Sequence, residues 1–193
     1  QHRMGGNGAP LIMVRKTDNP VSDAAGIAAA AGRASKKGPP PVHLWNPPFC
    51  GDLDMEIRAD GTWFYQGSPI GRPAMVRLFA SILKREGDEY FLVTPVEKVR
   101  IRVVDAPFVA VDAEIGPTIT FTTNVGDQVT AGPDNAIQMR GTPEEPRPYV
   151  HVRRGLWALI DRKTFYRLAD VAAPDSHGRM ILHSGGETFP LEP

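Results

Sequence analysis

The sequence has little cysteine and no long hydrophobic run, and both absences bear on where the protein works. Cys50 is the only cysteine among 193 residues, so no disulfide can form within the chain, as is typical of a reducing compartment. No apolar stretch approaches the ~20 residues of a membrane-spanning helix, and the N-terminus lacks the features of a signal peptide. We therefore expect a cytoplasmic protein without membrane insertion.

The chain also lacks a surplus of charge of either sign. Its 22 Lys and Arg residues balance 22 Asp and Glu residues, so the formal net charge is zero. Proteins that bind polymeric nucleic acids need a basic surplus to neutralise phosphates, so we expect no such partner. A small anionic ligand needs only a local basic pocket and remains compatible with this composition.

Motifs that would name a cofactor or a metal are absent. The sequence contains neither GxxxxGK[ST] nor a GxGxxG between a strand and a helix, and it has no HxxxH, HExxH or CxxC spacing. The sequence therefore leaves the cofactor unknown, and we expect no metal site.

Three segments can be distinguished along the chain. Residues 1–40 form an arm rich in Gly and Pro and an Ala-rich helix, for which Ser22 can serve as the N-cap. Residues 41–113 form a first repeat domain, and residues 114–193 form a second. Within the first repeat, Asp60 and Gly61 signal a hairpin turn, and RPAMVRLFASILKREG predicts a helix that ends at Gly87.

The order of the predicted elements is similar in the two repeats. Each has a strand, a strand containing Gly-x-Trp (Gly61 and Trp63, then Gly155 and Trp157), a helix and two further strands. This order predicts an α+β fold of two similar β-β-α-β-β-type halves that arose by duplication. Coincidence is the alternative, because only Gly-x-Trp is shared residue by residue. We expect both tryptophans in the core.

Three longer stretches carry a resemblance to a known family. HLWNPPFCGDLDM, DGTWFYQGSPIGRPAMVRLFASILKREGDEYFLVTPVEKV and DAPFVAV closely resemble the bacterial family called domain of unknown function 1285, from about Pro41 to the C-terminus. The resemblance implies a duplicated α+β fold whose second half is superficially similar to a pleckstrin-homology domain. It also implies a site for a nucleotide-like ligand between the halves and a signalling role, but no established biochemical activity.

The stretch PVHLWNPPFCGDLDM is a Pro-rich loop with several polar and aromatic side chains. Stiff prolines lower the entropy lost on binding, so the loop suits recognition. Trp45 and Asn46 offer an aromatic face and an amide to a ligand ring, and Asp52 and Asp54 add carboxylates. These carboxylates disfavour a reactive thiolate at Cys50.

A second candidate position lies in GSPIGRPAM, where the predicted helix begins. Gly71 and Arg72 would offer free backbone N–H groups and a guanidinium, which suit an anion. Lys98, which interrupts an apolar strand, is a further candidate.

We therefore predict a signalling protein that binds a small anionic, nucleotide-like ligand between its halves, and the sequence leaves open whether it is also an enzyme. The predicted ligand-binding residues are Trp45, Asn46, Asp52, Asp54, Gly71, Arg72 and Lys98. Two alternatives stay open. One is an enzyme that uses His43, Asp52 or Asp54, and the other is a protein-interaction module without a small ligand, for which the sequence names no partner.

Overall fold

The structure, a computed structural model, describes residues 23–193. The Ala-rich helix α1 (Ala24–Ala34) begins after Asp23, whose carboxylate accepts a hydrogen bond of 2.9 Å from a backbone N–H of the first turn. Asp23 is therefore the N-cap, and the predicted cap, Ser22, lies outside the described residues. The alanine face of α1 packs against α2 (Pro73–Ser81), because small side chains let two helices approach closely. Two short 3-10 helices, Ser35–Lys37 and Val42–Leu44, lead to the first sheet.

The first half is a six-stranded sheet with one helix inserted. Its strands are β1 (Phe49–Ile57), β2 (Trp63–Tyr65), β3 (Ser68–Pro69), β4 (Leu83–Glu86), β5 (Glu89–Val93) and β6 (Lys98–Val103). In space they follow the order β3-β2-β1-β6-β5-β4. All neighbours are antiparallel except the central pair, β1 and β6, which is parallel. Helix α2 carries the chain from β3 at one edge of the sheet to β4 at the other.

The second half repeats this arrangement and adds a C-terminal extension. Its strands are β7 (Phe108–Ile115), β8 (Ile119–Thr123), β9 (Gln128–Thr130), β10 (Ile137–Gly141), β11 (Pro146–Arg153) and β12 (Leu156–Ile160). Their order is β10-β11-β12-β7-β8-β9, again with a parallel central pair, β7 and β12. The extension consists of α3 (Arg162–Val171) and a small sheet of β13 (Ala173–Pro174), β14 (Met180–Ser184) and β15 (Glu187–Pro190).

The predicted α+β fold with two similar, duplicated halves is confirmed. In each half, one three-stranded meander starts at the centre of the sheet and a second one ends there, so the first and last strands pair in parallel. The second half is a six-stranded sheet followed by α3, and its superficial likeness to a pleckstrin-homology domain stays a prediction from the family resemblance.

The strands that correspond between the halves differ from those that Gly-x-Trp indicated. Trp63 lies in β2, next to the edge strand β3, whereas Trp157 lies in β12, the counterpart of β6. Trp63 is buried in the core, but Trp157 is only half-buried. The predicted boundary between residues 113 and 114 falls within β7, and pairing with β12 places this strand in the second sheet.

The helix predicted to end at Gly87 is shorter than expected. Helix α2 ends at Ser81, and the next residues form β4. Gly87, with φ of +62°, lies in the tight turn between β4 and β5. Leu83 matches the helical stripe in the sequence, but in the fold it pairs with Leu92 of β5 and is buried. Pairing between strands therefore overrides the helical pattern here.

One hydrophobic core runs through both halves. Trp63 stacks on Phe79 of α2, with 6.1 Å between ring centres. Phe108 and Phe121 of the second half are fully buried and belong to the same cluster of core side chains. The halves are therefore joined by shared apolar packing, which removes large aromatic surfaces from water.

Candidate functional site

Three of the predicted site residues, Asp52, Asp54 and Lys98, lie on the outward face of the first sheet. The parallel pairing of β1 with β6 sets acidic side chains beside basic ones. Asp52 pairs with Arg100 (Nε to Oδ1, 2.6 Å), and Asp54 pairs with Arg102 (Nη2 to Oδ1, 2.9 Å). Lys98 pairs with a glutamate of β4 at 3.1 Å. These residues form an ion-pair ladder across the strands, in which each charge already has a partner.

The same ladder bears on the enzyme hypothesis. The hydrogen bond from Arg100 holds the pKa of Asp52 below its usual value, so this carboxylate stays ionised and is a poor general acid. His43 belongs to the 3-10 helix Val42–Leu44 and lines a pocket elsewhere. Among the hydrogen bonds and ion pairs within residues 23–193, none joins His43 to Asp52 or Asp54, whose partners are Arg100 and Arg102.

The fold separates the aromatic loop from the predicted anion position. The carbonyl of Trp45 accepts a hydrogen bond of 3.3 Å from Nζ of Lys84 in β4, one edge of the first sheet, and Asn46 follows on the surface. Gly71 and Arg72 follow β3 at the opposite edge. The two groups therefore do not face a common ligand.

The start of α2 is nevertheless concave. A pocket of about 190 Å³ is lined there by Gly71, Pro73 and Arg77, and by Asn124 of the second half. Arg72 is exposed and is not among its lining residues. The concave surface at this helix start therefore involves Arg77 where the sequence indicated Arg72.

A basic pocket lies beside the Trp45 loop, between the two halves, with a volume of about 200 Å³. The first half contributes His43, Lys84 and Arg85, and the second half contributes Arg153 and Arg154. The other lining residues are aliphatic, and no Asp or Glu is found among the lining residues in the described part of the chain. Lys84, Arg85 and Arg153 already pair with carboxylates outside the lining, at 3.5, 3.8 and 2.8 Å respectively. The positive charge that remains unpaired at this pocket, within the described residues, is therefore that of Arg154.

Hydrogen bonds across the halves hold two of these arginines in place. Nη1 of Arg85 donates to the carbonyl of Gly155 at 2.9 Å. Nη1 of Arg153 pairs with Asp127 at 2.8 Å, and its Nη2 donates to the carbonyl of Ala80 at the end of α2, at 3.0 Å. The basic pocket is thus built on residues whose positions are fixed before any ligand binds.

Arg154 differs from its neighbours in having a strained backbone. Its φ is +44°, and that of the following Gly155 is +77°, so both central residues of the turn between β11 and β12 have positive φ. Such a turn favours Asn-Gly, and an arginine there costs about 1 kcal/mol. Within residues 23–193 the Arg154 guanidinium has no ion-pair partner. Local strain that delivers an unpaired positive charge to a pocket is a feature of functional sites.

The two halves also meet in a tight contact at Gly61. The side-chain amide of Asn124 donates from Nδ2 to the carbonyl of Gly61 (3.2 Å), and its Oδ1 accepts from the N–H of Val109 (3.0 Å). Gly61 has φ of +89° and is buried. One asparagine thus joins the first hairpin of the first half to the central strand of the second half.

Within residues 23–193, no three His, Cys, Asp or Glu side chains are grouped as metal ligands would be. In the same range, no helix combines the length and the apolar character needed to span a membrane.

Two family models match the chain in succession. The model described as "Domain of unknown function (DUF1285), N-terminal domain" matches residues 40–106, and the one described as "Protein of unknown function (DUF1285), C-terminal domain" matches residues 107–191. The chain belongs to the DUF1285 family. The two models meet directly before β7, where the second sheet begins.

Solved structures agree with this assignment. A DUF1285 family protein from Silicibacter pomeroyi DSS-3 is 60% identical, with a TM-score of 0.80, over 89% of this chain and 96% of that chain. Another, from Shewanella baltica OS155, is 35% identical, with a TM-score of 0.51, over 61% of this chain and 91% of that chain. No curated protein matches the chain.

The basic pocket of this DUF1285 protein was missed by the sequence analysis for a definable reason. Its residues lie in four separate stretches between Val42 and Leu156, and only the fold brings them together. One local signal was present. The turn of the second hairpin reads Arg153-Arg154-Gly155, with arginine where the turn type favours asparagine.

A second buried polar contact of this DUF1285 protein gives a pH-dependent prediction. Tyr149 is only 2% exposed, and its hydroxyl donates to Asp105 at 2.7 Å. Burial, together with this bond, raises the pKa of Tyr149 from its ordinary 10 to about 12. The folded state thus holds the phenol proton more tightly, so this stabilisation is complete below pH 10 and is lost as the pH rises from 10 to about 12.

We expect Tyr149→Phe to remove a late phenolate step. In an alkaline titration followed by ultraviolet absorbance, the wild type should show one tyrosine that ionises near pH 12. The variant should lack that step and keep the others. Loss of a step near pH 10 instead would show that Tyr149 is not held by Asp105.

Proposed function

We propose that this DUF1285 protein binds a small anionic ligand, such as one with a phosphate group, in the basic pocket between its halves. The observation that carries the proposal is the lining of that pocket. Two halves contribute four Lys or Arg side chains and His43, with no carboxylate among the described lining residues. Lys and Arg heads gathered on one side, with an arginine that has no carboxylate partner among residues 23–193, suit phosphate or carboxylate groups.

The size of the pocket and the residues beside it suggest which part of a nucleotide-like ligand would lie inside the pocket and which part outside it. A volume of about 200 Å³ is below the range for a whole drug-sized ligand, so the pocket would take the anionic group only. Trp45 directly follows the 3-10 helix that contributes His43, and its carbonyl accepts from Lys84. In this proposal the half-buried Trp45 and the exposed Asn46 would contact the remainder of the ligand.

The proposal includes a signalling role because the ligand would connect the halves. Lys84 and Arg85 belong to the first sheet, whereas Arg153 ends strand β11 of the second sheet and Arg154 lies in the turn that follows it. Each anion bound to both sets would stabilise the junction by its differential affinity for the docked arrangement.

Arg154→Asn separates the functional role of this residue from a structural one. Asparagine tolerates positive φ, so the variant should gain about 0.5–1 kcal/mol in free energy of unfolding. Loss of a charge-assisted hydrogen bond should weaken binding of inorganic pyrophosphate or a nucleoside monophosphate about tenfold to a hundredfold. The measurements are urea unfolding and isothermal titration calorimetry.

Two matched controls sharpen this test. Gln66 also has positive φ, +51°, before a glycine in a hairpin turn, so Gln66→Asn should stabilise similarly without affecting binding. Arg72→Ala, at the far edge of the first sheet, should leave binding unchanged. If affinity falls in Arg72→Ala but not in Arg154→Asn, the ligand binds at the start of α2 and the proposed pocket is refuted.

A further inference from the structure

A larger cleft between the halves has no part in the proposed function. It has a volume of about 950 Å³ and shares no lining residue with the small pocket at the start of α2. The hairpin turn of the first half contributes Ala59 and Asp60. Strands β7, β11 and β12, the β10–β11 turn and the start of α3 contribute the rest.

The floor of this cleft is apolar and its aromatic side is open to solvent. Val109, Val111 and Leu159 come from the adjacent strands β7 and β12, and Phe165 comes from α3. Tyr166 is 57% exposed, although most tyrosines in folded proteins cover more of their ring. An apolar floor with an exposed aromatic ring is typical of surfaces that bind another molecule.

The rim of the cleft is acidic, in contrast to the basic pocket. Four carboxylates, those of Asp60, Glu144, Glu145 and Asp161, line it together with two arginines. One of these arginines, Arg147, is already neutralised by Asp105 at 2.6 Å. Asp161 is likewise paired, with Lys163 at 3.3 Å. Three carboxylates and one arginine of the lining then remain, so the lining keeps an excess of negative charge.

The acidic turn between β10 and β11 is held in a defined shape. The backbone groups of Thr142 and Glu145 exchange hydrogen bonds of 3.1 and 3.2 Å. Gly141 has φ of +84°, and a Cβ there would lie 2.3 Å from the carbonyl oxygen of Glu145. The two glutamates are thus presented from a rigid turn, and binding would cost little ordering entropy on this side.

We propose that this cleft docks a basic, amphipathic peptide segment of a partner protein, with an apolar side chain on the floor and Lys or Arg on the acidic rim. Charge complementarity selects this occupant. A phosphate-bearing ligand would be repelled by the excess of carboxylates, and a neutral apolar ligand would leave them unpaired. The volume is at the upper end for a small-molecule site and accommodates several side chains of an extended segment.

The test is a selection of random twelve-residue peptides displayed on phage against the full chain. The enriched sequences should combine an aromatic or aliphatic residue with at least two Lys or Arg. A fluorescein-labelled synthetic copy of the most enriched sequence then serves as the probe, and its Kd is measured by fluorescence anisotropy. Because the rim charges are exposed, we expect Glu144→Gln/Glu145→Gln to raise this Kd about tenfold at low salt, and the loss to shrink at high salt.

Two further variants distinguish the cleft from general charge effects. Tyr166→Ala should also weaken binding of the peptide, because it removes the exposed ring without burying a new charge. Asp170→Asn lies on α3 outside the lining and should have no effect. Equal affinity of the peptide for the wild type and for both cleft variants, or enrichment of acidic sequences, would overturn the proposal.

Discussion

Gly61→Ala should lower the free energy of unfolding by about 2–4 kcal/mol, because it combines backbone strain with a clash between the halves. Gly61 has φ of +89°, a backbone conformation that residues with a Cβ rarely adopt. An added Cβ would lie 2.7 Å from Nδ2 of Asn124 and 3.0 Å from Cγ2 of Val109. Neither neighbour can move freely, since Asn124 is held by hydrogen bonds to both Gly61 and Val109.

Gly67→Ala is the matched control for this prediction. Gly67 has φ of +81° but no atom within 4 Å of an added Cβ, so the control measures strain alone, about 1–2 kcal/mol. Both values come from urea unfolding of the full chain. The additional decrease in free energy of unfolding in Gly61→Ala reports on the contact between the halves. Equal decreases in the two variants would show that this contact accommodates the added methyl group without a measurable loss of stability.

Local chemistry accounts for the elements that the sequence predicted correctly. Asp161 caps α3, where its Oδ1 accepts a hydrogen bond of 3.0 Å from the N–H of Thr164, and aspartate is among the residues preferred at such positions. Asp60 and Gly61 were expected to form a hairpin turn, and they connect β1 to β2. Caps and tight turns depend on a few neighbouring residues, so sequence is sufficient to predict them.

Long-range pairing explains what the sequence did not predict. The helical stripe of α2 continues into Ile82 and Leu83, but β4 exists only because β5 is available to pair with it. The likeness between the halves likewise depends on parallel pairs, β1 with β6 and β7 with β12, whose partners are far apart in sequence. A repeat defined by a short motif therefore selected the wrong strands for comparison.

The candidate site shows the same limit. Asp52, Asp54 and Lys98 looked like available charges, but β6 supplies arginines to both aspartates and β4 supplies a glutamate to the lysine. Arg153 and Arg154, which carry the proposed pocket, looked like ordinary hairpin residues. Whether a charge is paired depends on the strand beside it, and only the fold determines which strand that is.

Residues 1–106 and 107–193, produced as separate chains, should each lack a cooperative unfolding transition, which is the largest effect that we expect. The outward face of the first sheet carries the ion-pair ladder, so the sheet buries apolar side chains mainly on its other face. The core on that face continues into Phe108 and Phe121 of the second half. A domain of this size that loses part of its core falls below the burial needed for stability.

Cutting the chain also leaves polar groups without partners at the junction. Arg85 would lose its hydrogen bond to the carbonyl of Gly155, and the carbonyl of Ala80 would lose the hydrogen bond from Arg153. Asn124 would keep its hydrogen bond to Val109 but lose the one to the carbonyl of Gly61. An equimolar mixture of the two chains should therefore recover the cooperative unfolding transition, which is measured by circular dichroism as the mixture is heated. Arg153→Met in the second chain should reduce this recovery, because it removes the hydrogen bond to the end of α2. A transition of the isolated first chain at the melting temperature of the intact protein would show that the halves fold independently.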